Sequence, residues 1–300
     1  MSAVSEEQVI IQDETAAQEA AATADQGAEG NTEEVSHEIT LFAEPIFHIG
    51  SFTVTNTLLN SWVVVIGLVV LAVLIGKKVK KVPSKVQGVA EMIINKSLEL
   101  ADTVTSDRKK TLKIFPIVFA LFLFILLNNW LGMFPGVGSI GFIESHEGAK
   151  TFVPYFRGGT ADFNTTFALA LFTVIGSNVF GVITVGVMKY LNKFINYKGI
   201  AEIPRKVLKE PTILVVNPIK FFVGIIEIIG EIAKVASLSF RLFGNIFAGE
   251  VLLASIAVIF AFALPIPFMF LEIIVGLIQA LIFSMLTLVY FSVASTAEEH

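Results

Sequence analysis

The sequence predicts an all-α polytopic membrane protein, and three observations carry that prediction. The first is composition: 54% of the 300 residues are hydrophobic, 27 are Phe and the mean hydropathy is +0.76, more apolar surface than one water-soluble core of this length needs. The second is that the apolar residues fall in uninterrupted runs of about 20 or more, enough to cross a hydrocarbon core of about 30 Å. The third is the placement of positive charge. Ten of the 21 Lys and Arg lie between Lys77 and Lys113 and seven between Lys189 and Lys220; of the other four, Lys150 and Arg157 lie between the clusters and Lys234 and Arg241 within an apolar stretch.

Residues 1–38 are predicted to be a disordered acidic tail, because they contain no Lys or Arg and almost no aromatic side chain. Residues 39–300 form the membrane domain. Its first span, about 57–76, ends at Lys77, Lys78, Lys80 and Lys81. Positive charge marks the cytoplasmic side, so the N-terminus is expected outside. Over about 83–107 apolar residues recur with helical period at Val86, Ala90, Ile93, Leu100 and Val104, among too many charges to span, which predicts an interfacial amphipathic helix. A second span, 112–134, carries Asn128 and Asn129 and stops at Pro135-Gly136. An external, irregular loop is expected next, rich in Gly, Pro and acidic residues and poor in positive charge. A third span, 165–187, returns the chain to the second basic cluster.

The segment 219–263 has no proline and is about 70 Å long if it is one helix. A single tilted crossing gives five spans in all. A break near Gly244 and Gly249 gives six, and typical tilts favour the break. Pro265 and Pro267 mark a turn before a last helix over about 268–296.

Several function classes are excluded. There is no cysteine, the four His are scattered, and no phosphate-binding loop, nucleophile elbow or zinc motif occurs, so neither a cofactor site nor a nucleotide site is expected. What stands out is a set of polar residues inside apolar helices. Glu227, Lys234 and Arg241 are spaced by sevens and form one stripe, with Asn245 one turn beyond; Glu272 and Gln279 repeat the spacing on the last helix. A charge at the bilayer centre costs about 3 kcal/mol on insertion scales, so an intramembrane Arg is kept only if it pairs, snorkels or works. Glu231 and Lys234 also read as an interfacial pair, Asn129, Asn245 and Gln279 as interhelical hydrogen-bonding groups, and Arg241 as the ion-pair partner of Glu227 or a neighbour. Glu250 and Glu272 read as buried carboxylates without a structural partner, the pattern of an ion path. A secondary ion-coupled transporter is the alternative, although the internal repeats such transporters show are not evident here.

Four stretches then carry a resemblance. SLSFRLFGNIFAGE from Ser237, QALIFSMLTLVYFSVAS from Gln279, TADFNTT from Thr160 and NNWLGMFPG from Asn128 resemble, in order and spacing, subunit a of the F-type ATP synthase membrane sector, and the likeness covers about Phe42 to His300. That resemblance implies an ion-translocating stator subunit with two aqueous half-channels that let protons reach and leave the carboxylates of a c-subunit ring. It places Arg241 opposite a ring carboxylate and puts Asn129, Glu227, Asn245, Glu250, Glu272 and Gln279 along the path. It further implies one steeply tilted helix over 219–263 in place of a break, five crossings, a cytoplasmic C-terminus, peripheral-stalk b subunits and the lipid bilayer as partners, no nucleic acid, and a bacterial plasma membrane. Some members carry His at one of the positions of Glu250 and Glu272, whereas here both are Glu.

Overall fold

A computed structural model describes residues 40–77, 79–80, 84–134, 136–146, 149–194, 213–260 and 264–296. The acidic tail expected over 1–38 lies outside the described residues. Two compact units are distinguished: Ile143–Val153, the outer part of a hairpin, and a unit of residues 39–142 and 154–300 that holds all the described helices.

Five helices are long and apolar enough to cross a membrane, and the predicted fold class is met. They are α1 (Asn56–Lys77), α3 (Arg108–Met133), α4 (Phe163–Val185), α6 (Ile213–Ile259, its apolar part Phe221–Ile259) and α7 (Pro265–Ala294). Between α1 and α3 lies the amphipathic α2 (Lys85–Thr105), and the short α5 (Val187–Phe194) follows α4. Two hairpins, β1–β2 (Pro45–Ile49 with Phe52–Thr55) and β3–β4 (Gly141–His146 with Ala149–Pro154), were not expected. The second falls in the loop anticipated as irregular, whose short strands lie among Gly and Pro residues that hide an alternating pattern.

Local chemistry sets the element boundaries. Ser84 caps α2 by accepting from the Gln87 N–H. The chain leaves α2 through Ser106 in the left-handed region, φ 53°, and re-enters helix at once with Asp107 capping α3. Ion pairing of Arg108 with Asp102 and a Thr105–Thr111 hydroxyl bond clasp that corner. Asp162 caps α4 through the N–H groups of Asn164 and Thr165. Pro265 opens α7 at its first position, where the missing N–H leaves no helical bond unmade. The helix therefore starts at the prolines and not after them. No break occurs near Gly244 or Gly249: α6 runs for 47 residues, about 70 Å. Its 39-residue apolar part is about 58 Å long, nearly twice the hydrocarbon thickness and more than a perpendicular crossing needs.

The core forms where α3, α4, α6 and α7 meet, through Ile125, Leu126, Ala170, Val174, Leu238, Leu242, Ala280 and Phe283. A second cluster, Ala101, Ile114, Val118, Leu288 and Phe291, seats α2 against α3 and α7. Apolar side chains on the outer faces stay exposed, Val65, Ile66, Val69 and Val70 on α1 among them, as expected of surfaces that meet lipid. One backbone approach is tight: a Cβ on Gly132 would stand 2.5 Å from Cα of Gly158 and 2.7 Å from its nitrogen. Since backbone cannot rotate away, Gly132→Ala is expected to destabilise the fold by about 1–3 kcal/mol, read as a lower unfolding midpoint of the detergent-solubilised protein.

Candidate functional site

Three polar clusters lie along α6. The first is built around a glycine. A Cβ on Gly249 would fall 2.1 Å from the carboxyl carbon of Glu272, so the hydrogen side chain creates the seat into which the α7 carboxyl packs. Glu272 is 7% exposed and its Oε1 is buried with no hydrogen-bond partner. Next along α6, Glu250 is gripped by Arg157, which donates from Nε to Oε1 at 3.0 Å and from Nη2 to Oε2 at 2.7 Å. Arg157 is 6% exposed and also donates to the carbonyls of Thr40 and Phe42 and to the Thr40 hydroxyl. Glu250 is thus not the partnerless carboxylate the sequence suggested. Its partner comes from the loop before α4, 93 residues away.

The second cluster joins α6, α7 and α3. Asn245 donates to Oε1 of Gln279 at 2.7 Å, while Nε2 of Gln279 is buried without a partner. Asn129 is 1% exposed, donates to the Gly276 carbonyl at 3.0 Å and accepts from the Thr160 hydroxyl. Its neighbour Asn128 accepts from Asn60 and Ser61 of α1, so one dipeptide on α3 ties it to two other helices.

Arg241 stands apart from both. It is exposed, its described hydrogen bond is to the Ser237 hydroxyl at 3.3 Å, and among the described residues it forms no ion pair. The pairing with Glu227 that offered a structural explanation is not seen. Ala233, Ser237, Gly244 and Ala248 are exposed beside it on α6, and a Cβ on Gly244 would meet nothing within 4 Å.

The third cluster lies ten residues before Arg241, where Lys234 donates to Glu231 at 2.7 Å and Glu231 also accepts from Asn178 at 3.1 Å. Tyr190 of α5 donates to Oδ1 of Asn178 at 2.5 Å. Burial first, then the charges of Glu231 and Glu227, push the Tyr190 hydroxyl up to about 12, so it remains a donor at neutral pH. Tyr190→Phe is expected to cost about 0.5–1.5 kcal/mol, measured as a lowered unfolding midpoint. Glu227 lies half-buried one turn before Glu231.

The structure therefore brings Glu250 and Glu272 together, and Asn245 and Gln279 together. It leaves Arg241 facing outward between them and the Glu231 cluster, about 14 Å along the helix from Glu250 and about 15 Å from Glu231. Sequence reasoning passed over Arg157, Asn178 and Tyr190 as site residues and took Gly249 for a possible helix break, not for the seat of a carboxyl. Arg157 did carry a signal, a single Arg just ahead of TADFNTT in a loop otherwise almost without positive charge. Among the described residues, no three His or acidic side chains are grouped so as to hold a metal ion.

Comparison with known proteins bears on this arrangement. The family model described as ATP synthase A chain matches residues 58–292. A protein of Syntrophobacter fumaroxidans named ATP synthase subunit a is 32% identical over 247 residues, 81% of this chain and 85% of that protein. One of Moorella thermoacetica with the same name is 29% identical over 247 residues, 82% of this chain and 94% of that protein. A protein of Propionigenium modestum, named ATP synthase subunit a, sodium ion specific, is 31% identical over 258 residues, 86% of this chain and 80% of that protein.

Proposed function

This chain belongs to the ATP synthase A chain family, a multi-pass membrane subunit of the rotary ATP synthase, and from that premise we propose that it forms two aqueous half-channels through which the coupling ion reaches and leaves the carboxylates of a c-subunit ring. The observation that carries the proposal is the position of Arg241, an exposed guanidinium in the middle of an apolar helix that has no counter-ion among the described residues. An Arg so placed is tolerated when a negative group outside the chain meets it. The exposed Ser237, Gly244 and Ala248 beside it let another helix approach closely.

Physically, a ring carboxylate can enter lipid only when neutral, because a bare charge there is costly. An ion entering by the Glu250, Glu272 and Gln279 region, with Asn245 and Asn129 as hydrogen-bonding supports, neutralises it. Arg241 favours the ionised form and releases the ion toward the Glu227 end. Its fixed positive charge also blocks direct leakage from one half-channel to the other. The membrane potential supplies about 2.3 kcal/mol per charge per 100 mV, which ring rotation delivers to the nucleotide sites of the complex. The working setting is a bacterial plasma membrane with the N-terminus outside, the C-terminus cytoplasmic, and peripheral-stalk b subunits holding this chain still against the ring.

The test is ATP-driven acidification of inverted vesicles carrying the whole complex, with and without sodium. Acidification in sodium-free buffer that collapses with a protonophore supports proton coupling, whereas dependence on added sodium moves the ion assignment to sodium. Because Gly244 faces open space, Gly244→Leu is expected to leave assembly of the complex intact by immunoblot yet slow pumping at least about tenfold by obstructing the ring.

A further inference from the structure

We propose that Arg157 is a positioning residue that holds Glu250 as a fixed ion pair and so leaves Glu272 as the carboxyl that exchanges protons at this site. The proposal rests on the half-channel reading above and divides a role there between two acidic residues.

The two carboxyls are neighbours with opposite surroundings. Glu250 receives the Nε and Nη2 donors of a guanidinium that is itself almost fully buried, a two-pronged charge-assisted pair. Arg157 is immobilised in turn by Thr40 and Phe42, and Asp162, five residues on, accepts from the Ala43 N–H, so the strand of chain that anchors the guanidinium is itself pinned. Protonating Glu250 would strand a buried Arg, which is among the more destabilising single changes a protein interior can suffer. Among the described residues Glu272 pairs with no cation, and one of its oxygens has no partner. The elements around it add no other charge. α3 beyond Lys113 and all of α4 contain no Asp, Glu, Lys or Arg, so the charged groups facing Glu272 are Glu250 from α6 and, behind it, Arg157 from the loop. A fixed pair beside a free carboxyl keeps the local charge nearly neutral when Glu272 is protonated and lets it accept a proton without rearranging its neighbours. The step is a simple transfer: a proton from external water joins the Glu272 carboxylate as an O–H, then leaves to a ring carboxylate, and Glu272 returns to its starting charge.

Two measurements on the intact complex test this. Infrared titration of vesicles between about pH 5 and 9 compares wild type with Glu250→Gln and Glu272→Gln. The pH-dependent carboxyl band of this subunit is expected to persist in Glu250→Gln and vanish in Glu272→Gln. Loss of the band in Glu250→Gln, or no change in either variant, overturns the assignment. The second measurement is a double-mutant cycle on ATP-driven pumping. Arg157→Gln is expected to cut the rate at least about tenfold, with Arg157→Lys between it and wild type. Arg157→Gln combined with Glu250→Gln should pump faster than Arg157→Gln alone, because no unpaired carboxylate remains. Losses that simply multiply would mean Arg157 acts through packing and would also overturn the proposal. Should Arg157→Gln prevent assembly, the infrared comparison decides, since both of its variants keep side-chain size. Normal pumping by Arg241→Ala would reject the half-channel reading instead, and would leave the infrared assignment standing.

Discussion

Replacing Arg241 by Ala is expected to abolish ATP-driven pumping, by at least about 100-fold, equivalent to about 2.7 kcal/mol, while the complex still assembles. Assembly should survive because the side chain is exposed and its described bond inside the chain is one long contact to Ser237. Deleting it leaves neither a cavity nor an orphaned buried charge. On the proposed half-channel reading, transport should fail because a ring carboxylate then has no positive charge to favour its ionised form in an apolar interface, and because the barrier to leakage between half-channels goes with it. Lys is expected to rescue little: an ammonium deprotonates more readily when desolvated and lacks the planar fork that can hold two oxygens. Acidification of inverted vesicles, with immunoblots for the ring and stalk subunits, separates the outcomes. Pumping retained in Arg241→Ala would reject the half-channel reading, and pumping lost only in proportion to lost assembly would make the arginine structural.

The second large effect is expected at a residue with no chemistry of its own. Gly249→Val would drive two methyl groups into the space held by the Glu272 carboxyl, whose atoms already lie within 2.2 Å of where a Cβ would be. The carboxyl must swing out of its seat or α6 and α7 must separate, at about 1–3 kcal/mol for overpacking. Separation would also pull Asn245 from Gln279 one to two turns away. Pumping should therefore fall by more than about tenfold, and Gly249→Ala should show a smaller loss in the same direction. The informative control is Gly244→Ala, on the same helix but facing open space, which is expected to change the unfolding midpoint very little. Equal effects at the two glycines would show that helix flexibility, not the seat for Glu272, is what Gly249 provides.

The five spans were legible because each depends on local quantities, apolar length and flanking charge, and the structure moves their ends by only a few residues. The continuity of α6 was not legible from the residues alone: Gly244 and Gly249 allow a break, and the helix stays whole because Leu238 and Leu242 on one side of them and the Gly249–Glu272 contact on the other are packed against α3, α4 and α7. In the site, the sevenfold spacing identified Glu272 and Gln279 as one face of α7. It could not reveal Arg157, since a residue 93 positions from its partner has no periodicity linking it to that partner. The two hairpins were missed for a similar reason, because strands of four to six residues among glycines carry too few alternations to read.

The bond from Asn129 to the Gly276 carbonyl spans 147 residues, and this separation sets a schedule for biogenesis. At a synthesis rate of about 5–20 residues per second, α3 is made roughly 7–30 s before the part of α7 that satisfies it. Through that interval an amide at the end of a nascent span lacks its final acceptor, and the Thr160 hydroxyl, only 31 residues on, is the earlier of its two native partners to emerge from the ribosome. The order of arrival predicts that the α3 and α4 hairpin forms first around Asn129 and waits in the bilayer, its last hydrogen bond supplied only when the final helix enters.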